Sequence, residues 1–265
     1  MNIIQNVGTS LLGLPSTNQE SFSVNYFTLS FTGNVKEYEK GYQDDYFVKS
    51  LNPFRFSLIL SMIFYGAFAF LDTVAVPDLK GVFWFIRFGI VFPILVSVFI
   101  FSYSSAFRKY WQFVISCIIF ITGFGIIIMI IFAAKVQNYS YYAGLILILI
   151  FGYTFIRARF MYAVIAGWSI VISYEISAIW LSHTPFTILV NNNYFFISAN
   201  IIGMFISYFL ELSMRKEFYM RILLEKEKKT KNYQILVLWR ETKDIKLKIM
   251  SRVETIISNT TRTKD

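Results

Sequence analysis

Six apolar stretches, at residues 56–76, 83–104, 112–133, 142–157, 161–181 and 194–213, fill the middle of the chain. A helix rises about 1.5 Å per residue, so roughly 20 residues cross a hydrocarbon core about 30 Å thick. A soluble core cannot absorb so much apolar surface: 56% of the 265 residues are hydrophobic, 19% are aromatic and the mean hydropathy is positive. Lipid has to cover what protein cannot. The pattern predicts an all-α fold, an integral membrane six-helix bundle followed by a cytoplasmic C-terminal helix. The fourth stretch, starting at Tyr142, is the shortest.

The short connections carry their positive charge on alternate sides. Lys49, Arg55, Arg108, Lys109, Arg157, Arg159, Arg215 and Lys216 fall on one side, and Lys80 and Lys135 on the other. The richer side is expected to face the cytoplasm, which makes this a multi-pass protein of the cytoplasmic membrane with both termini inside. The opening MNIIQNVGTSLLG has no basic region leading into an apolar core, so no secretory signal peptide is expected.

Three segments follow from composition. Residues 1–50 form a cytoplasmic N-terminal segment: 1–35 is rich in Ser, Thr, Asn and Gly and reads as loose or peripheral, and 36–50 can be drawn as an interfacial amphipathic helix with Tyr38, Tyr42, Tyr46 and Phe47 on one side. Pro53 is expected to break the chain before the first span, because the residue preceding a proline avoids helical dihedrals. Residues 51–214 form the six-span domain. Residues 215–265 hold 14 basic and 7 acidic groups and form a basic cytoplasmic helix. Within it Ile235, Leu238, Thr242, Ile245, Ile249, Arg252 and Ile256 fall on alternating three- and four-residue steps, the seam of a coiled coil, although a single amphipathic helix lying on the inner leaflet fits the same spacing. Such a basic segment is attracted to anionic headgroups; no base-reading module accompanies it, and nucleic acid is not an expected partner.

Function should show where ionisable groups enter hydrocarbon, because each costs several kcal/mol unless paired. Asp72, Arg87 and Glu175 come from three different spans and share one depth in the outer half of the membrane, with Asn200 slightly deeper. Arg87 should pair with Glu175, Asp72 or both, and Tyr174 and Asn200 could complete the hydrogen bonding. Two readings of this cluster stand: a polar pocket that binds a small ligand or responds to protons, and a satisfied polar knot that fixes helix register. Glu211 lies where the sixth span meets the cytoplasm and is expected to pair with Arg157, Arg159 or Arg215, a latch between the bundle and the outgoing helix.

Other features speak of packing. Ala163 and Gly167, and Ala199 and Gly203, are small residues four apart that let helices approach. Pro93 should kink the second span. Asn138, Tyr139 and Ser140 match a glycosylation acceptor. One histidine and one cysteine are too few for a metal site of the usual kind. No phosphate-cradling glycine loop or nucleophile elbow is present, so neither cofactor nor metal is expected and the chain should catalyse nothing alone.

The strings FLDTVAVPDL (70–79), FIRFGIVFP (85–93), YYAGLILILIFGYTFIRARFMYA (141–163), GWSIVISYE (167–175) and NNNYFFISANIIGMFISYFLELSMRKEF (191–218) resemble the six-helix membrane anchor found ahead of the catalytic domain in bacterial class III adenylate/guanylate cyclases. The resemblance covers roughly residues 37–230, with Asp72, Arg87, Arg157, Arg159, Glu175, Asn200, Glu211 and Arg215 in places where such anchors look alike. It implies a dimer that receives a signal at the membrane and passes it through a helical transducer. The sequence departs from the pattern after Lys231, where a short basic helix replaces the cyclase domain. The expected function is therefore a membrane sensor or anchor, homodimeric, that takes an unknown small ligand and acts on a cytoplasmic output protein. The alternatives are a small transporter or channel, and a membrane-disrupting effector.

Overall fold

Apolar composition and the few helix breakers between spans produce long helices. The computed structural model describes residues 22–139 and 141–262, with side chains to residue 252. Six helices are present among the described residues: α1 (Tyr38–Ala75), α2 (Pro77–Phe101), α3 (Phe107–Ala134), α4 (Tyr142–Thr154), α5 (Phe160–Leu181) and α6 (Phe186–Arg262). The described residues contain no strand, only an isolated bridge between Val24 and Phe31. All helices except α4 are long and apolar enough to cross a membrane. The chain divides into two compact units, Met1–Met214 and Arg215–Asp265.

Within the first unit, α4 has 13 residues and is shorter than the expected stretch 142–157. It ends because Arg157 adopts a left-handed backbone, with φ of 62°, which no helix continues through. Short as it is, α4 links two distant levels of α1. At its start Tyr141 reaches Asp72, and just past its end the carbonyl of Phe155 accepts a hydrogen bond from Ser57 Oγ at 2.7 Å. Fifteen residues of α1 separate those levels, about 22 Å along a helix axis. The helix therefore runs antiparallel to α1 from one end of the bundle to the other.

The expected break at Pro53 is absent: α1 continues through it for 38 residues. An interior proline costs a helix about 3 kcal/mol, and packing offsets that cost here. Tyr42, Tyr46, Phe54 and Leu58 are all buried on one side of α1. Phe54 stacks on Phe107 and Phe47 meets the edge of Trp111, at ring separations of 5.5 and 5.3 Å. Arg55 donates to Ser102 O and Ser102 Oγ at 2.7 and 3.0 Å, which places a cation at the C-terminal end of α2 where the helix dipole favours it.

Residues 22–35 are folded onto α1 and are not the loose segment the composition suggested; residues 1–21 lie outside the described residues. Leu29, Phe31 and Val35 are buried, Phe31 packs edge-on against Tyr42, and the Phe31 amide donates to Glu39 Oε2 at 2.9 Å. Burial of three apolar side chains outweighs a polar average.

Two helices contain π-helical turns, Phe85–Val91 in α2 and Ser177–Leu181 in α5. The first stands directly before Pro93, so the interruption expected there takes the form of a widened turn. In the small-residue pairs, Gly167 and Gly203 face not a neighbouring helix backbone but the ring of Tyr153 on α4. A Cβ at Gly203 would overlap that ring, and one at Gly167 would overlap the Tyr153 hydroxyl.

The second unit is the helical chain from Arg215 onward. Ile235, Leu238, Ile245 and Ile249 of the expected seam are exposed; the side chain of Ile256 lies outside those described. The hydrogen bond from Lys231, one turn on and 2.8 Å away, holds the Glu227 carboxyl below its ordinary range.

Candidate functional site

Asp72 lies in the last turn of α1 and Arg87 in the π-helical turns of α2. Their side chains are 0% and 1% exposed. Arg87 grips the carboxylate with both arms of its guanidinium: Nε donates to Oδ2 at 2.6 Å and Nη2 to Oδ1 at 3.0 Å. Two parallel charge-assisted bonds are the strongest geometry this pair can adopt. Arg87 Nη1 donates to the Tyr65 carbonyl at 3.3 Å, its guanidinium sits 4.9 Å from the Tyr65 ring, and Tyr141 OH donates to Asp72 Oδ1 at 3.1 Å. Two helices, α1 and α2, and the start of α4 thus enclose the pair. The Trp84 indole donates to the Ala69 carbonyl at 3.1 Å and ties α2 to α1 beside it.

Glu175 does not join that pair. It lies on α5 and accepts from Asn193 Nδ2 at 3.2 Å, while Tyr174 OH accepts from Asn192 Nδ2 at 2.8 Å. The sequence expectation of one cluster therefore resolves into two, Asp72–Arg87 with Tyr141 and Tyr174–Glu175 with Asn192 and Asn193. The reason is helix rotation: depth alone does not say which side of a helix a residue occupies. Aromatic contacts run from the second group to Tyr142, the chain neighbour of Tyr141. Tyr142 rings lie 6.2 and 6.1 Å from Phe195 and Phe196, and Phe196 meets Tyr174 at 4.5 Å.

Asn200, deeper on α6, belongs to neither group. Its Oδ1 accepts from Tyr153 OH at 2.6 Å, and its buried Nδ2 has no hydrogen-bond partner. Glu175 Oε1 and Asn193 Oδ1 are likewise buried without one. Unsatisfied polar atoms cost about 1–3 kcal/mol each, and in a native fold they concentrate where something other than stability is served.

At the opposite end the α4–α5 connection is tied from three helices, α1, α3 and α6. Arg159 Nε is 3.5 Å from Glu211 Oε1 and its Nη2 is 3.6 Å from Glu39 Oε1. Glu211 Oε2 accepts from the Phe160 amide at 2.7 Å, so a carboxylate from α6 satisfies the first free N–H of α5. Gln112 Oε1 accepts from the Arg159 amide at 2.7 Å, and Tyr46 OH donates to the Arg157 carbonyl at 3.2 Å. Of the expected partners, Glu211 takes Arg159. Arg157 Nη1 instead points at Met214 Sδ, 3.4 Å away. Arg215 is the first residue of the second unit.

Tyr65, Tyr141, Tyr153, Gln112 and Glu39 hold these sites together and carried no signal as such in the sequence. Asn192 and Asn193 stand in a run of three asparagines at 191–193, whose composition does not say which of them faces α5. Among the described residues no group of His, Cys, Asp and Glu is placed to hold a metal ion. The glycosylation match cannot be placed as a whole, since Ser140 lies outside the described residues; Asn138 Nδ2 donates to the Ala75 carbonyl at 3.1 Å.

A family model of membrane-associated sensory domains, MASE8, matches residues 70–225, more than half of the chain, from just before Asp72 to beyond Glu211. No curated protein and no solved structure matches.

Proposed function

The chain belongs to the MASE8 family of membrane-associated sensory domains, and we propose that it is a sensor of the cytoplasmic membrane, dimeric, whose α6 passes a signal to a cytoplasmic output. The signal arrives at the Asp72–Arg87 end, which faces outward, as a small ligand or a proton. The observation that carries this reading is the placement of Asn192, Asn193, Asn200 and Glu211 on α6, the helix whose sequence continues past Met214. Rotation or sliding of α6 changes the hydrogen bonds at Glu175, Tyr174 and Tyr153 and the hold of Glu211 on α5 together. The chain itself catalyses nothing; its output is a partner, or a catalytic domain of the kind that follows cyclase anchors.

Cysteine cross-linking in membranes tests this. In a C117S background, I235C, L238C, T242C, I245C and I249C should each form disulfide-linked dimers on oxidation, whereas R240C and L247C, on the far side of the heptad, should not. Adding D72N should alter the cross-linking rate along the seam at least about twofold, because an equilibrium shared by two sites responds to a perturbation of either. Equal cross-linking at all positions, or none, removes the dimeric output. A rate indifferent to D72N removes the coupling. Solute flux through the protein in liposomes would favour a transporter instead.

A further inference from the structure

A groove of about 400 Å³ opens at the end of the bundle opposite Asp72, between the first turns of α1, α3 and α5. That volume lies in the range of small-ligand sites. Its walls combine the aromatic faces of Phe47 and Trp111 with Arg108, Lys109 and Arg159, against one carboxylate in the lining, Asp44. Arg108 reaches Asp44 at 2.7 Å, an exposed pair that contributes little, and its guanidinium lies 5.6 Å from the Phe47 ring. Arg159 is held by Glu39 and Glu211 through ion pairs only: its Nε is buried and makes no hydrogen bond.

These cations stand where helix physics disfavours them. Arg108 and Lys109 occupy the first turn of α3, and Arg159 immediately precedes α5, so all three sit at the positive ends of helix dipoles. Asp44 offsets Arg108, Glu39 and Glu211 offset Arg159, and Glu211 already caps α5. The positive field that an anion would neutralise therefore comes from Lys109, which pairs with no carboxylate among the described residues, and from the N-terminus of α3. The aromatic walls suit an apolar body beneath that anion, and the basic connections assign this end to the inner leaflet.

We propose that the groove binds the phosphate headgroup of an anionic phospholipid of the inner leaflet, with its glycerol and upper acyl chain against Phe47 and Trp111. The proposal stands apart from the sensor reading, but it has a consequence for it. Arg159 is shared between groove and latch, so a bound phosphate competes with Glu211 for the same guanidinium.

Thermal unfolding of the full chain in a zwitterionic detergent tests the assignment, with dioctanoyl phosphatidylglycerol, dioctanoyl phosphatidylcholine or glycerol phosphate added. Phosphatidylglycerol should raise the midpoint in a saturable way and the other two should not. R108Q/K109Q should bind it about thirtyfold more weakly with an unchanged midpoint in the absence of lipid, and K80Q/K135Q, at the other end, should bind as the parent does. A phosphatidylcholine shift of equal size, no shift at all, or a shift that survives R108Q/K109Q overturns the site. Should R108Q/K109Q lower the midpoint without lipid, the single variants R108Q and K109Q replace it under the same criteria. An equal shift with glycerol phosphate overturns the lipid and points to a soluble phosphate ester.

Discussion

Tyr153 is the residue on which the inner packing of the first unit turns. Its ring enters a notch that Gly203 and Gly167 leave open on α6 and α5, and its hydroxyl donates to Asn200. The two glycines should therefore respond differently to the same change. G203A drives a methyl into the ring and G167A drives one into the hydroxyl; each should lower stability by about 1–3 kcal/mol, the usual cost of overpacking. Measured against Y153F as the parent, which has no hydroxyl to displace and frees Asn200 Oδ1 to move, G167A should lose part of its penalty while G203A keeps all of it; the contacts with Asn200 Oδ1 and the ring carbon beneath the hydroxyl account for the rest. Equal penalties in both backgrounds would contradict this packing. The glycines were legible in the sequence as small residues four apart, but their partner was not. One tyrosine among 17 carries no mark of where its ring will go. Asp72 and Arg87 were legible because charge in an apolar run is costly, whereas the choice of Asp72 over Glu175 depended on helix rotation.

At the scale of elements, hydropathy located all six helices, since the period and length of apolar runs follow directly from burial in lipid. It misjudged their ends wherever tertiary contacts decided them. Pro53 signals a break by local stereochemistry, yet aromatic packing of Phe54 on Phe107 carries α1 through it. At the start of α5 the decisive group is again distant in sequence. Glu211 accepts the Phe160 amide and pairs with Arg159, acting as a cap supplied by another helix. E211A should cost about 0.5–2 kcal/mol, the range for a lost N-terminal cap. E211Q keeps an acceptor for the amide and loses only the ion pair, so it should cost distinctly less. Chemical denaturation in mixed micelles checks the order, and equal losses would show that the charge rather than the cap is what matters.

For the whole molecule, the reading rests on which end of the first unit faces outward. The connections between α1 and α2, α3 and α4, and α5 and α6 belong to one end. Tyr141 and Asn138 contact the C-terminal part of α1 there, at Asp72 and Ala75. The basic connections belong to the other, and their charge was plain in the sequence because the rule that orients membrane proteins acts on short loops. The direct measurement is labelling of intact cells with a membrane-impermeant thiol reagent, using single cysteines in a C117S chain. D78C, N138C and H183C should react from outside, whereas S104C, K109C and K231C should react only after permeabilisation. Reaction of K231C on intact cells, or protection of D78C and H183C there, would contradict the arrangement.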